Sequence, residues 1–431
     1  MEAIGSELNL FEPAVSQSAV VGEFVQEFKP LATIIQGSPL NFEIEGGGNN
    51  YVDLNNTKLE VRVKLTAPDG TTAIAGTIRV GVANLTLHSL FSSMIVKVQD
   101  KVVTDSNNLY GYRALLETLI NYQTDVLKTR MVCEGFIEDT AGQMDVVVPA
   151  GANLGLGLRE AMFHASSTVR LIGRPHSDLF HQDKLIPPGV KIGIQLTPAR
   201  PSFLIKIAAT ADAADQVAYR FHIVSARFLV QMKELSPSMV VAHEQMVQEA
   251  NYRYPHTKVL LKTQNIPTGV TSYSIPNMFK GKLPDRVAIA MVEDAALTGH
   301  YNRNPYNFQN FGLNSVAVKA NSNLVPRIEL EPNFTNGDYL REYLTVLEAI
   351  GYDIGPNTWS VTPSAWANGN NIYVFKITPG SIGAVRSSQL TGDIGLHLKF
   401  AAATPGNITL IILSEEPATL EIDKFKNAFI D

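Results

Sequence analysis

The sequence predicts an all-β protein of two side-by-side, eight-stranded jelly rolls with a few inserted helices. Three observations support this fold class: many turn-forming residues, short strand-like runs, and an internal repeat. Gly (31) and Pro (23) are frequent among 431 residues, whereas charged residues make up only 18%, a balance typical of short strands joined by turns. Several strands per half, joined by loops longer than a tight hairpin, favour a jelly roll over an up-and-down barrel.

The ending of one half of the chain resembles the ending of the other. Residues 189–196 read GVKIGIQL and residues 392–398 read GDIGLHL, which places Gly193 and Gly395 202 positions apart. A separation near half the chain length indicates two copies of one domain whose loops grew unequally.

A leucine-rich amphipathic helix is predicted in each half, at 109–121 and at 337–350. Matching Arg113 to Arg341 also matches Leu116 to Leu344 and Leu119 to Leu347, at an offset of 228. The helices therefore extend the repeat beyond the terminal strands.

The chain divides into four predicted segments. Prolines interrupt the first residues, which suggests an extended arm, and Ser236 before Pro237 is a typical helix start. The predicted segments are an N-terminal arm at 1–35, a first jelly roll at 36–235, a linker helix at 236–252 and a second jelly roll at 253–431.

Charge and cysteine content exclude several classes of protein. The net charge is −6 and Lys and Arg are scattered singly, so we expect no direct nucleic-acid binding. The single cysteine, Cys133, cannot form an internal disulfide, which favours a reducing compartment. We expect neither a cleaved signal peptide nor a membrane-spanning segment, since no apolar run is long enough.

One short segment imitates a nucleotide-binding motif. Residues 139–143 read DTAGQ, as in the switch of small GTPases, but the chain has no GxxxxGK[ST] loop to hold phosphates. A loop in which Gly142 permits a tight turn is the favoured interpretation.

His176, Asp178 and His181 are the best metal candidates in the sequence. On a strand, the first two side chains would share a face while His181 would point away. We therefore favour local hydrogen bonds or ion pairs that involve Arg174, His176 and Asp178, at a strand end or a subunit contact. No metal or other cofactor is predicted.

Other enzymatic interpretations lack their motifs. A cupin would need a His-x-His pair and a serine hydrolase a G-x-S-x-G turn, and the sequence contains neither. The aromatic-rich segment 300–308 is predicted to pack against a neighbouring subunit, because Tyr and Arg favour interfaces. We therefore expect no enzyme and assign no catalytic or cofactor-binding residues.

Several segments resemble a family of capsid-like proteins found in Polinton-like or adintovirus-like DNA viruses and in virus-derived elements of invertebrate genomes. These segments are 42–47, 51–54, 87–91, 170–180, 283–287 and 304–308. The resemblance spans about residues 10 to 431 and carries no catalytic signature. His181 departs from it, since an aromatic residue is expected there.

The resemblance implies a double jelly-roll major capsid protein, located in the virion shell and assembled inside the host cell. Its homotrimers would have pseudo-hexameric outlines and would tile an icosahedral shell. Expected partners are other copies of the chain, neighbouring capsomers, and penton and minor capsid proteins; contact with a membrane is left open. The long loops at about 123–165 and 295–335 are candidates for intratrimer clasps or outer towers. The alternative is a β-sandwich protein that binds glycans or attaches to a host.

Overall fold

The structure, a computed structural model, describes residues 18–67, 69–76, 78–148, 151–207, 219–354, 358–378 and 390–430. The strands in these residues are β1 (Val20–Phe28), β2 (Leu40–Ile44), β3 (Asn50–Thr66), β4 (Gly81–Val82), β5 (Phe91–Val98), β6 (Lys101–Asp105), β7 (Val169–Gly173), β8 (Ile192–Pro198), β9 (Ile205–Lys206), β10 (Arg220–Leu235), β11 (Tyr252–Ile266), β12 (Ser272–Lys282), β13 (Arg286–Glu293), β14 (Leu313–Ala320), β15 (Asn323–Leu330), β16 (Ile372–Lys376), β17 (Thr391–Phe400), β18 (Ile408–Ile422) and β19 (Ala428–Ile430).

Short helices lie in the connections between these strands. The α-helices are α1 (Thr86–Ser89), α2 (Tyr110–Asn121), α3 (Thr124–Lys128), α4 (Leu154–Phe163), α5 (Pro201–Leu204), α6 (Pro237–Met246), α7 (Asp294–Thr298), α8 (Leu340–Ile350) and α9 (Pro363–Ala367). Three 3₁₀ turns, Arg130–Glu134, His164–Ser166 and Asp178–His181, complete the helical structure of the described residues.

The two halves of the chain have the same strand order. The first half forms one sheet in the order β1-β10-β3-β7 and another in the order β2-β8-β5-β6. The second half forms β11-β18-β13-β16 and β12-β17-β14-β15, so the eight strands of these two sheets match the eight of the first half rank by rank. The short pair β4-β9 in the first half and β19, which pairs with β18, stand outside this match. Two sheets joined by crossing connections in each half are a jelly roll. The predicted fold class is therefore confirmed.

The repeated glycine motif lies on equivalent strands in the same register. Gly193 of β8 pairs with Lys97 of β5, and Gly395 of β17 pairs with Lys319 of β14. Both pairings also shift register near the start of the partner strand, between Phe91 and Ser93 and again at the matching place in β14. A shared irregularity of this kind supports a common origin of the two halves.

Alternation of apolar residues explains why these segments form half-buried strands. In β8 the side chains of Ile192, Ile194 and Leu196 are buried while the intervening residues are partly exposed. In β17 the pattern recurs at Ile394, Leu396 and Leu398. Because strand side chains alternate between faces, this period directs one face of each sheet into a core.

The predicted N-terminal arm is partly wrong. Residues 1–17 of the arm lie outside the described residues, but β1, from Val20, is the edge strand of the first jelly roll. It pairs antiparallel with β10 from Val20–Leu235 to Phe28–Phe228. The strand was missed because most of its residues are exposed, so its sequence lacks the alternation of a half-buried strand.

The two long loops proposed as clasps or towers contain regular elements. Helices α3 and α4 occupy parts of 123–165, and the hairpin β14–β15 occupies much of 295–335. The linker helix is present but ends at Met246, and α2 and α8 lie close to their predicted bounds. Among the described residues, no helix combines the length and the apolar character needed to cross a membrane.

Candidate functional site at the junction of the two jelly rolls

Helix α2 joins the two jelly rolls, although it belongs to the first. All its residues except Asn121 are buried. Leu115, Leu116 and Leu119 belong to an apolar cluster formed mainly by the second jelly roll. Helix α2 therefore lies between two cores and has no face exposed to solvent, unlike an amphipathic surface helix.

Hydrogen bonds from the second jelly roll fix α2 along its length. The Tyr112 hydroxyl donates to the Pro305 carbonyl (2.8 Å), and the Trp359 indole N–H donates to the Leu119 carbonyl (2.6 Å). At the end of the helix, Arg286 donates to the Asn121 side chain (2.8 Å). Buried polar groups are thus paired across the junction.

Strand β11 closes the junction from the other side. The Val259 amide donates to the Asp178 carboxylate (3.2 Å), and the Tyr254 hydroxyl donates to the Leu185 carbonyl (3.2 Å). Tyr254 is itself part of the first jelly roll's core. Each half therefore contributes side chains to the core of the other.

A buried arginine organises the centre of this junction. Arg113 is 1% exposed and contacts Glu117 (2.8 Å) and Asp178 (2.6 Å). Asp178 also accepts a hydrogen bond from the Thr104 hydroxyl (2.9 Å). Burial alone would raise the pKa of Glu117, but Arg113 and a bond from His176 outweigh it and lower that pKa. Glu117 is therefore a carboxylate at neutral pH.

Two histidines extend the network. His176 Nδ1 lies 2.7 Å from Glu117 Oε2, and His88 Nε2 lies 2.8 Å from Glu134 Oε2. The other ring nitrogen of His88 contacts the Tyr110 hydroxyl (3.0 Å). The imidazole rings of His88 and His176 meet edge to face, with 4.7 Å between their centroids. Burial lowers the pKa of His88 despite its carboxylate partner.

The sequence-predicted residues His176, Asp178 and His181 all lie at this junction, but in different roles. Asp178 binds Arg113, and His176 binds Glu117. His181 lies at the solvent side, where its Nδ1 contacts the Ser177 carbonyl (3.0 Å). Although His181 is exposed as a residue, its ring lies near that of His176 (5.9 Å between centroids), and desolvation at this position lowers its pKa.

Two groups in the described residues have the composition of a metal site. They are His88 with Glu134 and His176, and Glu117 with His176 and His181, and within each group the ligand atoms lie within 4.8 Å of one another. Asp178 belongs to neither. In both groups, hydrogen bonds already join a histidine nitrogen to a carboxylate oxygen of the same group. These bonds connect the histidines to Arg113 through Glu117, although the buried Nη1 of Arg113 has no hydrogen-bond partner among the described residues.

Sequence reasoning missed most of this network. Arg113 and Glu117 were visible as an i, i+4 pair on an otherwise apolar helix, which is a signal for a buried or helix-stabilising ion pair. His88 and Glu134 lie far apart in the sequence and have no comparable signal.

A second buried network contains the aspartate of the DTAGQ segment. Asp139 binds Arg159 (2.6 Å) and accepts hydrogen bonds from Asn153 (2.9 Å) and from Asn304 of the second jelly roll (3.0 Å). This segment therefore joins the two halves of the chain. A nucleotide-binding role has no support in this geometry.

The aromatic segment 300–308 was predicted to pack against a neighbouring subunit. Tyr306 and Phe308 are instead buried within the same chain, where both rings contact Tyr112 of α2. For these two residues the prediction was wrong, because they serve the interface between the two halves.

Comparisons with known proteins agree with this architecture. No protein-family model and no curated protein sequence matches the chain. A chain of the Sputnik virophage structure is similar with a TM-score of 0.67 at 10% identity, over 100% of this chain and 92% of the other. The chain has the double jelly-roll fold of viral major capsid proteins.

Two further solved structures extend this likeness. The Faustovirus major capsid protein gives a TM-score of 0.58 at 10% identity, over 97% of this chain and 93% of its own. The mavirus major capsid protein gives 0.51 at 11% identity, over 100% and 95%. The double jelly-roll architecture is thus shared from end to end, although few residues are.

Proposed function

We propose that the chain is a structural major capsid protein whose homotrimers, pseudo-hexameric in outline, tile an icosahedral virion shell. The observation that carries this proposal is the identical strand order of the two halves. Three copies of a two-jelly-roll chain present six similar domains, so a threefold assembly can fill a sixfold lattice position. The likeness to capsid proteins over the whole chain supports the same function.

Assembly is then the activity, and the partners follow from it. They are other copies of the chain, neighbouring capsomers, and penton and minor capsid proteins, in a shell assembled inside the host cell. A net charge of −6 without basic runs supports the absence of direct genome binding.

We infer no catalytic role for the junction. His88, His176 and Glu117 are buried, and each is bonded to groups of the same chain. Their contacts support a structural role, holding the two jelly rolls in one orientation.

The domain division that fits this function differs slightly from the one predicted. We propose an arm that ends before Val20, a first jelly roll to Leu235, a linker helix, and a second jelly roll at 253–431. The strand pairing of β1 with β10 supports the earlier start of the first jelly roll.

Light scattering after size exclusion, together with negative-stain electron microscopy of the purified chain, tests the proposed function. We expect particles of three times the 47.0-kDa chain mass with hexagonal outlines, or closed shells. A persistent monomer that binds glycans would instead support the attachment-protein alternative.

A further inference from the structure

The two equivalent helices α2 and α8 differ sharply in burial. Each follows the fourth strand of its second sheet, β6 or β15. Helix α2 is almost wholly buried, whereas α8 buries only Glu342 and Val346. Leu340 and Leu344 of α8 are 61% and 47% exposed. With Arg341 matched to Arg113, they correspond to Tyr112 and Leu116, which the second jelly roll covers in the first half.

The equivalent edge strands β1 and β11 differ in the same way. Strand β11 buries Val259 and Leu261 in the cluster that contains the leucines of α2. None of the nine residues of β1 is buried, although several are apolar. Val21, Phe24 and Val25 are 65%, 42% and 57% exposed. An exposed, apolar edge strand is uncommon in a protein that functions alone, because such edges promote association.

These two differences are halves of one pattern. Inside the chain, the helix of the first jelly roll and the edge strand of the second lie in one apolar cluster, and Asp178 bridges them by binding Arg113 of α2 and the Val259 amide of β11. The corresponding apolar residues of the other two elements, Leu340 and Leu344 on α8 and Val21 and Val25 on β1, are exposed instead. A second copy of the chain would present a β1 to this α8 and an α8 to this β1.

We propose that α8 of one copy docks against β1 of the next, in the arrangement that α2 and β11 adopt within the chain. This inference rests on the proposed capsid function and names the surfaces by which its trimer closes. The contact is head-to-tail, since a different surface faces the partner on each side, and head-to-tail contacts form a ring when the rotation closes. Intrachain and interchain junctions then alternate around the ring.

Two single substitutions test the proposed contact. Leu344→Glu places a charge on α8, and Val25→Glu places one on β1. Both side chains are largely exposed, so each variant should fold with unchanged circular dichroism and thermal unfolding. We expect each variant alone to be monomeric by light scattering, at a concentration where the unsubstituted chain is trimeric.

Mixing the two variants gives the sharper result. The Val25→Glu chain keeps an intact α8 and the Leu344→Glu chain keeps an intact β1, so one sound junction can form between them. We expect a 1:1 dimer of twice the 47.0-kDa chain mass and no trimer. A trimer in the mixture, or no association at all, would overturn the head-to-tail arrangement.

Val102→Glu is the matched control. Val102 is 44% exposed on β6, a strand that belongs to neither of the proposed docking surfaces. This variant should remain trimeric. If it dissociates, the effects of Leu344→Glu and Val25→Glu are not specific to the proposed contact. If the unsubstituted chain itself is monomeric, the proposed function fails. If that chain is trimeric but Leu344→Glu or Val25→Glu also is, only the docking inference fails.

Discussion

Arg113→Met is expected to destabilise the protein strongly, because it removes the only cation that contacts both Glu117 and Asp178 among the described residues. The substitution keeps an unbranched side chain of similar length in the helix, so helix propensity changes little. It leaves two buried carboxylates that have lost their countercharge.

The size of the loss follows from the contacts that remain. Removing one partner of a buried ion pair typically costs about 3–5 kcal/mol. Glu117 keeps its bond to His176, and Asp178 keeps the Thr104 hydroxyl and the Val259 amide. We therefore expect a loss near the lower limit, about 3 kcal/mol in the free energy of unfolding at neutral pH.

Urea unfolding followed by tryptophan fluorescence measures this loss, at one fixed protein concentration because association adds to apparent stability. Trp359, one of two tryptophans, reports directly on the junction through its bond to Leu119. Arg341→Met is the control: Arg341 occupies the matching position of α8 and is exposed, so its loss should stay within about 0.5 kcal/mol. Equal effects of the two substitutions, or a loss below about 1 kcal/mol for Arg113→Met, would refute the reasoning.

Three further outcomes follow from the structure. Stability should fall from pH 7 to pH 5, because burial lowers the pKa values of His88 and His181, so the unfolded chain takes up protons first; a urea midpoint that rises on acidification would contradict this. Tyr112→Phe should cost about 1 kcal/mol in urea unfolding through its lost hydrogen bond across the junction, and an unchanged midpoint would argue against that bond. Gly395→Ala should lower the melting temperature more than Gly193→Ala, since the added Cβ would lie 3.1 Å from the Pro276 carbonyl oxygen but no closer than 3.8 Å to any atom at Gly193; the reverse order would show that the two glycines are not constrained as the structure indicates.

The sequence predicted the elements whose residues alternate between a core and solvent. The strands around Ile192 and Ile394 alternate in this way. Helix α2 was predicted from its repeated leucines, which recur in α8 and made the duplication visible, but its burial on all sides was not predicted. Strand β1 was missed since it lacks a buried face. Its place in the sheet depends on pairing with β10, a contact between residues about 200 positions apart that no local pattern encodes.

The junction was the least predictable part of the molecule. His176 and Asp178 stood out as a polar cluster, but their partners Glu117 and Arg113 come from a helix about 60 residues earlier. Tyr306 was read as facing another subunit, because surface-type composition does not distinguish a contact between domains from one between chains. Only the packing of the two halves assigns each side chain to its partner.

Helix α2 is buried and α8 is exposed, and this difference has a physical reason. The junction of α2 lies within one chain and is permanent, whereas the proposed contact of α8 joins two chains. Within one chain the linker keeps the halves at high effective concentration, so the junction tolerates a buried, ionic centre around Arg113. A contact between chains must also offset the free-energy cost of the translational freedom lost on association. Its residues must in addition be stable in water in the free chain, before the contact forms. An exposed Arg341 with Leu340 and Leu344 meets that requirement, whereas a preformed set of unpaired buried charges would not. The difference in burial between α2 and α8 is therefore what the proposed contact between chains requires.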